Sequence, residues 1–278
     1  MSSSAYKKSP EDTSEPTAQE LASLPVEAEL QGVETQIKPT PPEEWPGPQR
    51  ILVVLAHPDD PEFFCGATIA RWTRAGHLVE YCLLTCGDKG SSDRSMTSEN
   101  LCAIRHEEQR NAAAVLGVHN VMFLDYPDGY LVPDLNLRRD ITRVIRQRKP
   151  DILVTCDPQT LYIGDNRLNH PDHRAAGQAA LDAVYPAARD HLNFVELWRD
   201  ERLEPHITRE VWVSGTTSPN VRLDVTDCWD TKIRALLEHK SQVGDPQAFI
   251  ERMRSRLAEG ATPENPRYEE AFRRLILG

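Results

Sequence analysis

Four short apolar runs, Ile51–Ala56, Leu78–Thr85, Val121–Leu124 and Ile152–Thr155, alternate with segments of helical period. The helical segments are Ala67–Ala75, Ser98–Leu116 and Leu135–Arg148. Gly76 and Gly117 are placed to end the first two, and Pro150 stops the third. Near-continuous apolar strands separated by helices are buried on both faces, the pattern of a parallel sheet covered on each side. Further along, a helix is expected over 172–188 and strands over 211–214 and 221–225. Helices are then expected near 229–239, 246–257 and 268–275. The fold class is α/β, a three-layer sandwich around a mostly parallel sheet.

Residues 1–49 read differently. They hold eight of the 21 prolines and three lysines against nine acids, so they contribute −6 to a net charge of −11. With little apolar periodicity, such a segment cannot offset its ordering entropy. The expectation is a flexible, Pro-rich acidic arm, with one helical turn near 18–28, in front of a single domain spanning 50–278. Its scattered apolar residues, from Leu21 to Trp45, exceed what a solvated tail needs. They point to packing on the same or a neighbouring subunit, and so to a homo-oligomer.

An acidic chain works against phosphate-backbone binding, which argues against nucleic acid. The basic cluster Arg138, Arg139, Arg143, Arg146, Arg148 and Lys149 reads as a solvated helix face. The longest apolar run has six residues, against about 20 for a membrane span. The N-terminus lacks the apolar core of a secretory signal. Six cysteines without a C-x-x-C pair fit reduced thiols and a cytoplasmic location.

In open α/β sheets, ligands bind beyond the carboxyl ends of the strands where strand order reverses. The first strand runs straight into His57-Pro58-Asp59-Asp60, with Glu62 close behind. After the fourth strand the chain reaches His170-Pro171-Asp172-His173 at the start of a helix. Paired first and fourth strands would bring both clusters to one edge. Imidazole and carboxylate are ligands that zinc accepts, and two histidines with one aspartate leave a position for water. Asp59 and Asp60 point different ways in an extended loop, so one can bind metal while the other faces the water. Either motif alone can be a turn or a helix cap. Their coincidence at one edge is what capping does not explain.

These two motifs resemble the signature of the LmbE-like/PIG-L superfamily of zinc-dependent de-N-acetylases. The likeness extends through Thr85–Gly90, Arg105–Val118, Tyr126–Gly129 and the stretch from Pro219 to Gln242. The resemblance implies a Rossmann-like fold and zinc held by His57, Asp60 and His173. It makes Asp59 the general base toward zinc-bound water and His170 the oxyanion and leaving-group residue. Asp172 orients a histidine, and Arg105, Asp128 and His239 face the substrate, a small N-acetylglucosamine-type sugar or conjugate. Iron, cobalt or nickel would accept the same ligands. Leu168, two residues before His170, lacks the hydroxyl that some members use.

A Cys–His hydrolase built on Cys65 or Cys86 is disfavoured, because no nucleophile elbow precedes a helix. No G-x-G-x-x-G follows the first strand, which removes dinucleotide binding. The non-enzymatic alternative is a catalytically weak or inactive metal-binding protein of the same fold.

Overall fold

The computed structural model describes residues 43–277. Its first half alternates as the periodicity predicts: β1 Arg50–Leu55, α1 Asp60–Arg74, β2 Leu78–Thr85, α2 Ser98–Leu116, β3 Asn120–Tyr126, α3 Leu135–Arg148 and β4 Ile152–Cys156. Local chemistry sets the boundaries. The Thr97 hydroxyl accepts from Asn100 N to start α2, and Gly117 closes it at φ 75°. Asp134 caps α3 through Leu137 N. Beyond β4, β5 Tyr162–Ile163 and β6 Arg167–Leu168 pair in a separate small sheet, and α4 Pro171–Asp182 and α5 Val195–Arg199 follow. The main strands lie in the order β3-β2-β1-β4-β7-β9-β8, with β7 at Glu210–Ser214, β8 at Val221–Asp224 and β9 at Glu269–Ile276. Order therefore reverses between β1 and β4, which pair in parallel from Ile51 with Ile152 to Val53 with Val154.

β1 sits in the middle and serves two cores. Ile51, Val53 and Leu55 meet α1, α2 and α6 (Thr226–Leu236) on one face. Leu52, Val54 and Ala56 meet α3 and α4 (Pro171–Asp182) on the other. Helix α4 lies so close on β4 that a Cβ at Gly177 would stand 2.3 Å from Cys156 O. The expected long helix over 172–188 narrows to α4 and a wider turn, Ala183–Ala187, where Tyr185 leaves helical dihedrals before Pro186.

Three expectations are corrected. Residues 268–275 form no helix: β9 runs antiparallel between β7 and β8. The reason is that Glu270, Phe272 and Arg274 share one face at a period of two. Two of them are charged side chains, paired with Lys232 and Glu210. Cys86 and Cys102 are not free thiols but a disulfide, their Cα atoms 5.1 Å apart. The turn of chain after β2 brings them together across 16 residues, a closure no local spacing reveals. Within the basic cluster, Arg146 is buried and donates to the carbonyls of Ala187, Asp190 and Asn193. Arg143 and Arg148 pair with Glu201 and Glu80.

Among the described residues, no helix is long and apolar enough to cross a membrane. Residues 1–42, including the expected turn at 18–28, lie outside them. Over 43–49 the chain packs on the domain. The Trp45 ring meets Trp72, Trp212 and His77 edge-on, and its Nε1 donates to Glu210 Oε1 at 3.0 Å. Glu210 also accepts from Trp212 and Arg274. Trp45→Ala removes a half-buried aromatic anchor and one bond to a shared carboxylate. The expected loss is about 2–3 kcal/mol, read as a lower urea midpoint at unchanged slope.

Candidate active site

The turn after β1 is locked from both sides. Thr85 donates its N–H and hydroxyl to Ala56 O, and His57 N donates to Asp60 Oδ2 at 2.8 Å. Between them Asp59 takes a left-handed backbone, φ 81°, which an L-residue adopts only when its surroundings insist. Its N–H donates to Gln109 Oε1 at 2.8 Å. Its Oδ2 accepts from Arg105 Nη2 at 3.2 Å.

Asp60 opens α1 and joins the two motifs. Its Oδ1 lies 3.0 Å from His173 Nε2 and its Oδ2 3.3 Å from His57 Nδ1. One ligand atom from each of His57, Asp60 and His173 falls within 4.8 Å of the others. Outer partners settle which nitrogens are free. His173 Nδ1 faces Asn169 Oδ1 at 2.9 Å, and an amide oxygen only accepts, so the proton sits on Nδ1. His57 Nε2 faces Asp128 Oδ1 at 3.1 Å and Asp172 Oδ2 at 3.3 Å, which directs its proton outward and the Nδ1 lone pair toward Asp60. Two imidazole nitrogens and a carboxylate thus converge on one point, where a bound cation would take the place of any proton held between them. This donor set fits a divalent transition ion such as zinc.

The same contacts set the charges of the site. Burial opposes ionisation of Asp60, but the facing His173 and His57 outweigh it and hold the carboxyl well below the usual range. Burial would lower His57, yet Asp60, Asp128 and Asp172 drive it up instead, a mark of a strongly anionic surround. For Asp59, burial pushes the carboxyl up, Arg105 pulls it down and Asp60 pushes it up again, leaving it at about 6. A carboxylate poised there accepts a proton near neutrality.

Asp59, Asp60, His57, Arg105, Asp128, His170 and His173 all line one cleft of about 400 Å³, with Lys89 and Gln242 at its rim. His170 is the N-cap of α4, its Nδ1 accepting from Asp172 N. Its exposed ring stands 4.6 Å from that of His57. Asp172 is fully buried and holds the loop after β3 through Gly129 N and Leu131 N. Arg105 is buried too, and donates to Pro58 O and Gly87 O.

His239 is the exception. It is 0 % exposed and does not line the cleft. Its Nε2 lies 3.2 Å from Glu62 Oε2, which also accepts from Gln109 Nε2, while Glu62 Oε1 accepts from the Tyr81 hydroxyl. His239 therefore stands behind Asp59, linked to it through Glu62 and Gln109. Gln109 escaped sequence reasoning. Its signal was the four-residue spacing from Arg105, which puts both on one face of α2.

A family model described as "PIG-L: GlcNAc-PI de-N-acetylase" matches residues 52–184. Diacetylchitobiose deacetylase from Thermococcus kodakarensis is 35% identical over 194 residues, covering 70% of each chain. A 1D-myo-inositol 2-acetamido-2-deoxy-alpha-D-glucopyranoside deacetylase from Catenulispora acidiphila is 30% identical over 178 residues, 54% of this chain and 52% of that one. The solved N,N'-diacetylchitobiose deacetylase from Pyrococcus horikoshii, in complex with an inhibitor, superposes with a TM-score of 0.73 at 29% identity. It covers 82% of this chain and 84% of its own.

Gly87 is the tightest point of the site. It has φ +65°, and a Cβ there would stand 2.3 Å from Arg105 Nη1. Gly87→Ala must move either the loop or the guanidinium that holds Asp59. It is expected to cost about 1–3 kcal/mol, measured by thermal unfolding against wild type.

Proposed function

This chain belongs to the PIG-L family, and from that premise we propose that it is a metal-dependent hydrolase. It removes the acetyl group from an N-acetylglucosamine-type sugar or conjugate. The relatives are named as deacetylases of acetylated glucosamine compounds. The observation that carries the reading to this chain is a convergence. The lone pairs of His57, Asp60 and His173 meet within 4.8 Å in the same cleft whose wall presents Asp59, Arg105 and His170.

Amide hydrolysis needs water made nucleophilic, a sink for the oxyanion and a proton for the departing amine. His57, Asp60 and His173 would hold a divalent ion, which when bound would supply Lewis acidity to the acetyl carbonyl and to water. Asp59 takes the proton from the attacking water, because its carboxyl is ionised above about pH 6. Arg105 holds that carboxylate at Oδ2 and fixes the bend that presents it. His170 faces the cleft from the opposite motif, where its ring serves the developing oxyanion and then the leaving amine. Asp128 and Asp172 keep the His57 proton on Nε2, so its Nδ1 remains a ligand.

Acetate release from a panel of N-acetyl sugars, diacetylchitobiose among them, by zinc-loaded protein tests the activity. Absence of release from every substrate by fully loaded protein rejects the proposal. Asp59→Asn should keep its metal content and lose about 10²–10⁴-fold in kcat. Near-wild-type turnover in that variant would assign the base elsewhere.

A further inference from the structure

A second set of metal-type donors lies outside the cleft. Cys86, Cys102, His106 and Asp125 each place one donor atom within 4.8 Å of the others. They come from three parts of the fold: Cys86 just past β2, Cys102 and His106 from α2, and Asp125 from β3. Cys102 and His106 are four residues apart and share a helix face, with Sγ 3.9 Å from Nε2. Asp125 takes a left-handed backbone, φ 54°, and its Oδ1 reaches to 3.1 Å from His106 Nε2. Phe123 lies against the imidazole at 3.8 Å between ring centroids and fixes its plane. None of the four lines the cleft.

We propose that, once the Cys86–Cys102 disulfide is reduced, these four residues form a second metal site for a thiophilic divalent ion such as Zn²⁺. Two thiolates, one imidazole and one carboxylate make a tetrahedral set of the type zinc prefers. With Zn–S bonds of about 2.3 Å, the two sulfurs must stand about 3.8 Å apart. Cα atoms at 5.1 Å permit that by side-chain rotation, with no backbone movement. Disulfide and metal exclude each other, because the sulfur lone pairs that bind the ion exist as thiolates only after the S–S bond breaks. Reduction by a phosphine and water takes two electrons from phosphorus, which leaves as its oxide, and yields two thiols. Ion binding then releases the two thiol protons to solvent. Cys86 is nearly buried while the Asp125 carboxylate is exposed, so the ion has an entry from solvent.

Co²⁺ titration of the full chain, oxidised and phosphine-reduced, tests the site. The reduced chain should bind one equivalent more than the oxidised chain. Only that equivalent should bring a thiolate-to-cobalt charge-transfer band, since the His57–Asp60–His173 set has no sulfur. The band therefore reports on this site whatever becomes of the proposed deacetylase activity. Cys102→Ser should weaken the band and the Cys86→Ser/Cys102→Ser double variant should lose it, both keeping the other equivalent, and His106→Ala should weaken the extra equivalent by more than about tenfold. Equal stoichiometry in the two redox states of wild type, which requires no variant to fold, would overturn the proposal. So would a band that survives in the Cys86→Ser/Cys102→Ser double variant, or unchanged affinity in His106→Ala.

Discussion

Asp59 is kept in a backbone conformation that an L-residue abandons unless held, at a cost of about 1–2 kcal/mol. The carboxylate at the head of the cleft depends on that bend. Three groups hold it: Gln109 takes the Asp59 N–H, Arg105 takes Pro58 O and Asp59 Oδ2, and Asp60 takes His57 N. Gln109 and Arg105 come from α2 and Asp60 from α1, so the turn is correct only when α1, α2 and β1 are all seated. Adjacent aspartates can then do different work. The same bend turns Asp60 toward the histidines and Asp59 toward the guanidinium.

The alternation of strands and helices was readable because β1, β2 and β4 are buried on both faces, which keeps their runs apolar apart from a few residues such as Glu80 and Thr155. The paired histidine motifs were readable for a related reason: the reversal of strand order between β1 and β4 makes their loops neighbours in any such fold. β9 was not readable. Its buried Glu270 and half-buried Arg274 owe their place to Lys232 and Glu210, partners 38 and 64 residues away, and without them the stretch looks like a charged helix. For a similar reason, the burial of His239 was not readable. A histidine late in a helix looks accessible until its carboxylate partner, Glu62, is found in the first turn of α1. The boundary drawn at residue 49 put Trp45 outside the domain. Its hold on Trp72 and Trp212 depends on contacts that no local pattern contains.

The buried charges divide into those that shape the site and those that hold the frame. Lys232 and Glu270 are both nearly unexposed and lie beneath α1, where Lys232 also donates to Phe63 O and Glu270 accepts from Ala67 N and Thr68 N. That pairing ties α1 to β9 and α6 and so fixes the base of the helix that begins at Asp60. Such a pair stabilises little against an apolar replacement, but removing one member leaves the other unpaired in the interior. Its contribution is position, and position is what an array of ligand atoms a few ångströms apart requires.

Asp172 uses one carboxylate for two tasks. Oδ2 faces His57 and accepts from Gly129 N, while Oδ1 accepts from Leu131 N. The basicity of an imidazole and the order of the loop after β3 therefore draw on the same pair of oxygens. Linkage of this kind is reciprocal. Whatever tightens His57 in its place slows amide exchange at Gly129 and Leu131, and whatever settles that loop steadies the imidazole in turn.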